Sequence, residues 1–445
     1  MLIKNATIIN EGHRFTGSVQ VEGETIAAIY KDGDLLPDDH NTIDADGMYL
    51  LPGVIDDHVH MRDPGLTHKA DMETETRAAV AGGVTSVMDM PNVVPQTTTL
   101  DLWRERMEYA ARNCHANYAF YLGATNSNIV DIKQMDTHAI PALKLFMGSS
   151  TGGMLVDQEE ALREIFRECP TLIMTHCEDT ARINERMAEA KALHGEDPDV
   201  TQHPWIRDDE VCYRSSALAV KMATETGARL HIAHITTAKE LSLLPQHPNQ
   251  DIAKNQITAE VCPQHLFFAE EDYKTLGTLI KCNPSIKSQA DREALRKAAA
   301  EGLLNMVGTD HAPHLLKEKE GGAQKAVSGM PLVQFSLPLM LTLASQGLFS
   351  MERIVKLMCH NPALLFGVSR RGFIREGYQA DLVLVRPESH VITDADVLSK
   401  CGWTPLHGQR LEWTVNRTWV NGQLAFDEAE GINAEVMGQA LRFNE

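Results

Sequence analysis

Between residues 49 and 314, eight apolar runs of strand length each stop abruptly at a polar cluster. They read YLLPGVIDDHVH, GVTSVMDMPN, NYAFYLGATN, IPALKLFMG, TLIMTHCED, ARLHIAHITT, ITAEVCPQHL and NMVGTDHAPH. Helix-patterned stretches separate most of them, among them KADMETETRAAVAG, DQEEALREIFREC, CYRSSALAVKMATETG and SQADREALRKAAAEG. Parallel strands need a crossover between them, usually a helix, so this alternation predicts an α/β chain folded as a TIM (β/α)8 barrel. The two ends of the chain have another texture. Residues 1–51 read as short strands and turns (LIKNATIIN, GSVQVEG, ETIAAIYKDG, NTIDADGMYL), and ADLVLVRPE and EWTVNRTWVNGQLAF resume that style near the C-terminus. We expect 1–51 and 367–445 to join as one small β-rich domain beside a barrel spanning 52–366.

In a TIM barrel the chemistry gathers at the C-terminal strand ends. The first run finishes in DDHVHMRD, residues 56–63. Side chains alternate along a strand, so Asp56, His58, His60 and Arg62 are expected on one face, and two imidazoles so placed can share one metal ion. A lone His-x-His fits two hydrogen-bonded core histidines equally well. The other strand ends add Asn92, Lys144, His176, His234, His265, Asp310, His311 and His314. Packing explains one such residue far more easily than the whole set. Lys144 lies inside the apolar run ALKLFM, whereas most lysines are salt-bridged or snorkel to water. His231 has the opposite parity to His234 and reads as a packed histidine. Cys177 reads as a small buried hydrophobe, and His265 stays outside the candidate set.

Charge and cysteines narrow the partners. The formal net charge of −20 argues against nucleic acid and acidic membranes, but a few local cations such as Arg62 still permit an anionic small substrate. Eight scattered cysteines without a C-x-x-C pair suit reduced thiols in the cytoplasm. The opening MLIKNATIINEG has no signal-like apolar stretch, and no run approaches a membrane span. A soluble cytoplasmic protein is expected.

DDHVHMRDPG and GTDHAPHLLKEK resemble the two signature segments of the dihydroorotases of the amidohydrolase superfamily. MPN, LKLFMG, THCED, IAHITT and SGMPLVQFSLPLML resemble that family too, in order, over about residues 45–385. His-x-His is common to the superfamily, whereas Arg62, Asn92 and the D-x-A-P-H pattern are more specific to dihydroorotase. The resemblance implies one Zn2+ held by His58, His60 and Asp310, and a second held by His176 and His234. Lys144, carboxylated by CO2, would bridge the two, since a carbamate supplies the anion that an ammonium cannot. Some relatives use an aspartate from the next loop instead. Here that loop reads MGSSTGGM, with no carboxylate before Asp157.

The implied reaction is reversible opening of L-dihydroorotate by a metal-activated water to N-carbamoyl-L-aspartate, in pyrimidine biosynthesis. Asp310 would move the proton. Arg62, Asn92 and His314 resemble the clamp for the substrate carboxylate, and Asn283 would touch the ring. The charged segment LLKEKEGGAQKAVSG after His314 is expected to be a mobile flap. A homodimer is the implied assembly, being common among relatives. Two alternatives stand beside this reading: an allantoinase or hydantoinase, and a non-catalytic scaffold of aspartate transcarbamoylase.

Overall fold

The computed structural model describes residues 1–148 and 154–445. Eight parallel strands form the barrel: β1 (Val54–Val59), β2 (Val84–Asp89), β3 (Asn117–Phe120, resumed at Leu122–Gly123), β4 (Leu143–Phe146), β5 (Ile173–His176), β6 (Leu230–Ile232), β7 (Ile257–Val261) and β8 (Met306–Val307). They pair in chain order, with Phe146 opposite His176 between β4 and β5. Just beyond β8, the His60 amide donates to the His311 carbonyl at 2.7 Å and Val59 bridges His311, which closes the ring.

Alternation along the strands sorts their side chains. Leu143, Leu145, Ile173, Leu230 and Ile232 join the core shared with the surrounding helices. Lys144, between Leu143 and Leu145, therefore points to the barrel interior. Ile55, Met88, Tyr121, Met174 and Met306 form a separate cluster with Phe366, from helix Asn361–Phe366, and Phe443 near the C-terminus. The four helix-patterned stretches become Met72–Ala81, Glu159–Glu168, Asp209–Thr226 and Gln289–Glu301. Asp71, Asp208 and Ser288 cap three of them by accepting a backbone N–H of the first turn.

Strands from both chain ends do build one sheet. Its order is Gly431–Ile432, Gln423–Asp427, Thr414–Val420, Leu382–Arg386, Tyr49–Pro52, Leu2–Asn10, His13–Glu22 and Thr25–Lys31, with Thr42–Asp44 pairing Leu2–Asn10. Tyr49–Pro52 lies antiparallel to Leu382–Arg386, so the run YLLPGVIDDHVH is two strands rather than one. The break falls at Gly53, where a Cβ would lie 2.1 Å from Thr85 Oγ1. Only glycine lets the chain cross from sheet to barrel so close to β2. No helix among the described residues is long and apolar enough to cross a membrane.

The segment after His314 differs from the expected loose flap. It begins with a short 3-10 turn, Leu316–Lys319, and buried Lys319 donates from Nζ to the carbonyls of Lys281, Val327 and Gly329 at 3.0, 2.8 and 2.7 Å. Asp197 accepts the amides of Gly322, Gln324 and Lys325. The segment is tethered by one of its own lysines bonding backbone carbonyls and by an aspartate from outside it.

Candidate metal centre and anion pocket

A cavity of about 690 Å3 opens at the C-terminal strand ends. His58, His60, Arg62, Asn92, Lys144, His176, His234, Asn283, Asp310 and His314 all line it, so every residue to which the family resemblance gives a metal or substrate role faces one space. Three of the eight non-glycine residues with positive φ among those described are Arg62, His234 and Asp310. Strained backbone of this kind persists where surrounding structure enforces it, often at functional sites. It also means that strand parity does not extend to Arg62, which β1 has left behind. Asp56, expected on the same face, instead accepts the backbone N–H and hydroxyl of Thr309.

Two donor groups converge. His58 Nε2 and His60 Nε2 lie 3.3 and 3.0 Å from Asp310 Oδ1. His176 Nδ1 faces His234 Nε2 at 2.9 Å, and the His58 and His234 rings are 5.3 Å apart. Three of these histidines have their other nitrogen engaged: His58 Nδ1 by Glu260 Oε1 (2.5 Å), His60 Nδ1 by Asn92 Oδ1 (2.9 Å) and His176 Nε2 by Glu178 Oε2 (3.0 Å). Such contacts settle which nitrogen carries the proton and leave a lone pair toward the cavity, the usual support for a metal-binding imidazole.

Electrostatics fit that use. Burial, reinforced by the neighbouring imidazoles, holds His234 well below its ordinary pKa, and burial lowers His60 to about 4. Both are neutral near pH 7 and able to bind a cation. Burial works against ionisation of Asp310, but His58 and His60 outweigh it and hold the carboxyl below the usual range. Lys144 is wholly buried, its Nζ has no hydrogen-bond partner, and burial lowers its pKa against the pull of Glu260 and Asp310. A buried amine without a partner is costly to keep charged, and this one stands beside metal-type ligands. The His58, His60 and Asp310 donors fit a bound divalent metal ion.

At another wall of the cavity, Arg62 Nη2 lies 2.9 Å from His314 Nε2, and Arg62 Nε donates to the Pro313 carbonyl. Lys69 Nζ sits 3.1 Å from His314 Nδ1 and pairs with Glu318 at 2.7 Å. Burial, then Arg62 and Lys69, pushes the His314 pKa far down, so this histidine is neutral. Asn283 Oδ1 is buried without a partner.

Some residues lie elsewhere. His311 accepts the amides of Leu332 and Val333 and pairs with Glu75, which makes it a post for the chain rather than a cavity group. His265 is turned to the Pro284 carbonyl, and Cys177 is buried outside the cavity. Most of the MGSSTGGM loop, residues 149–153, lies outside the described residues. Asp157 is exposed and accepts from Asn126.

Sequence reasoning missed Glu260, Glu178 and Lys69. Glu260 carried the same signal as Lys144, a charge inside a buried strand. Glu260 also faces Asp57 and His231, whose Nε2 lies 3.8 and 3.7 Å from the two carboxylates. Burial and the Glu260 charge raise Asp57, while His58 and His231 overcome the burial of Glu260 and hold it low. His231 is packed, as expected, with Phe366 against its ring and the two acids near its Nε2.

Comparisons with known proteins agree with this geometry. A dihydroorotase of Halobacterium salinarum is 35% identical over 398 residues, covering 88% of this chain and 89% of that protein. An allantoinase of Bacillus velezensis is 29% identical over 452 residues, covering 100% and 98%. The solved L-hydantoinase (dihydropyrimidinase) from Arthrobacter aurescens superposes with a TM-score of 0.93 at 27% identity, covering 99% of each chain. Residues 49–425, which carry the whole barrel and every cavity residue named above, match the amidohydrolase family, and the chain belongs to it.

Proposed function

We propose that this cyclic amidohydrolase is a dihydroorotase, interconverting L-dihydroorotate and N-carbamoyl-L-aspartate on the route to pyrimidines. One observation carries the choice among ring substrates: Arg62, His314 and Lys69 gather at one wall of the cavity that holds the metal-type ligands. A neutral hydantoin gives such a group nothing to bind, whereas dihydroorotate brings a carboxylate outside the reacting bond. The identity to dihydroorotases supports the same choice.

Two Zn2+ ions, held by His58, His60 and Asp310 and by His176 and His234 with carboxylated Lys144 between, would acidify a water and polarise the ring carbonyl. The protein's own groups do the rest. Arg62 takes the spectator carboxylate and sets the ring's orientation, and Asn283 offers its unpartnered amide oxygen to a ring N–H. Asn92 holds His60 through its side-chain oxygen. Asp310, ionised at neutral pH, accepts the attacking water's proton as the new C–O bond forms. It then passes that proton to the ring nitrogen as the C–N bond breaks. In ring closure the same carboxyl gives and takes in reverse order.

The full donor set argues against a mere scaffold for another enzyme. We place the protein in the cytoplasm, as a homodimer acting on small molecules without nucleic acid or membrane; its eight free cysteines suit a reducing compartment.

The test is a side-by-side assay with dihydroorotate, allantoin and dihydrouracil, together with zinc per chain. Dihydroorotate should be the preferred ring. In Arg62→Met, kcat/KM for dihydroorotate should fall about 30-fold to several thousand-fold, the loss of about 2–5 kcal/mol expected when a charge-assisted pair is broken. Hydrolysis of neutral rings should change far less. Preference for allantoin or dihydrouracil in the unaltered enzyme would overturn the proposal.

A further inference from the structure

His314 stands between two groups that can only donate. A guanidinium and an ammonium carry no acceptor, and a neutral imidazole has one N–H and one lone pair. Yet Arg62 Nη2 faces Nε2 at 2.9 Å while Lys69 Nζ faces Nδ1 at 3.1 Å. Neither tautomer satisfies both neighbours, and a protonated ring satisfies neither. One side must therefore place donor against donor.

The surroundings decide which side. Lys69 is held by Glu318 at 2.7 Å with its side chain 13% exposed, so its ammonium is fixed in place beside Nδ1. The Leu315 amide and Lys69 both bond Glu318, and Trp403 Nε1 donates to the His314 carbonyl at 2.7 Å, which fixes the ring's base. If the lone pair is at Nδ1, toward Lys69 at 3.1 Å and with Glu318 Oε2 at 3.7 Å, then Nε2 carries the hydrogen. Two donors, His314 Nε2–H and Arg62 Nη2–H, then lie 2.9 Å apart at the cavity wall. A single anionic oxygen accepts from both and removes the conflict.

We infer that Lys69 is a positioning residue for substrate charge: by donating to His314 Nδ1, it fixes the tautomer whose Nε2–H, beside Arg62, receives one oxygen of the substrate carboxylate. This rests on the dihydroorotase reading of the same cavity and adds the residue that makes His314 a donor there. Arg62 alone is partly committed, since its Nε is spent on the Pro313 carbonyl. The second donor is what selects a carboxylate over a neutral ring.

The experiment titrates orotate and uracil, the same ring with and without a carboxylate, into the metal-loaded enzyme by calorimetry. Lys69→Met should weaken orotate binding about 10- to 100-fold, the scale of a lost hydrogen bond to a charged group, and leave uracil unchanged. In turnover the loss should appear in KM for dihydroorotate, with kcat near that of the parent enzyme. Lys69→Arg, which keeps a charged donor, should recover most of the affinity. Orotate binding within about twofold of the parent in Lys69→Met overturns the role. So does an equal loss for uracil, or no recovery in Lys69→Arg, because each of these assigns Lys69 to local structure. A parent enzyme that opens neutral rings but not dihydroorotate fails the functional reading itself and takes this inference with it.

Discussion

Lys144→Ala should abolish turnover, and a short carboxylate such as acetate or propionate added to the buffer should restore part of it. The reasoning starts from burial. Lys144 is enclosed on β4, its Nζ bonds nothing, and desolvation lowers its pKa. A lowered pKa means that more of the amine is neutral at a given pH, and only the neutral amine attacks CO2. Carbamate formation by the neutral amine makes an N–C bond, releases one proton and turns a neutral buried group into an anion. That anion suits a site where burial holds the imidazoles of His60 and His234 neutral. Without it kcat should fall about 10³-fold or more, since several kcal/mol of transition-state stabilisation go with a bridged metal pair. Metal content and incorporation of isotope-labelled CO2 should drop in parallel. Near-native activity in Lys144→Ala, or no label in the parent enzyme, would remove Lys144 from the centre.

Asp310→Asn should silence ring opening and ring closure together. The substitution keeps the shape of the side chain and removes both its charge and its basicity. In the parent enzyme His58 and His60 hold the Asp310 carboxyl below the ordinary carboxylate range against the opposing effect of burial. It is therefore ionised throughout neutral pH and ready to accept a proton, and activity lost through its protonation should appear only in strong acid. Loss of a positioned proton-transfer group costs about 10²- to 10⁴-fold in rate, and microscopic reversibility requires the same factor in both directions. Rates measured from dihydroorotate and from carbamoyl-aspartate, with zinc per chain determined on the same samples, check this. One direction surviving while metal is retained would mean that another group carries the proton.

Much of the cavity could be read along the chain. Strand and helix periodicities are local, so eight apolar runs and the helices between them announced a barrel. The strand ends then offered His58, His60, Asn92, Lys144, His176, His234, His265, Asp310, His311 and His314, and the family resemblance singled out six of them as metal ligands. Lys144 stood out because a charge inside an apolar strand has no cheap local explanation. By the same test Glu260 in ITAEV was visible and went unused, because its partner His58 lies 202 residues away. Arg62 lines the cavity although β1 ends before it. Its position comes from a left-handed backbone and the Pro313 carbonyl rather than from alternation.

Other features depended on the folded chain alone. YLLPGVIDDHVH is continuous in hydropathy, and only the approach of Thr85 to Gly53 divides it between two sheets. The run after His314 looks like a loose charged loop, yet Lys319 finds three carbonyls that it can satisfy only once the segment has folded back. Lys69 is an ordinary surface-type lysine by sequence and meets His314 across 245 residues. Sequence by itself determined which side chains stand at the strand ends, because alternation and strand length are set by neighbours along the chain. The tertiary structure decided which group holds each ring nitrogen and where charge is left unsatisfied, because hydrogen bonds act over about 3 Å and their partners come together only when the barrel closes.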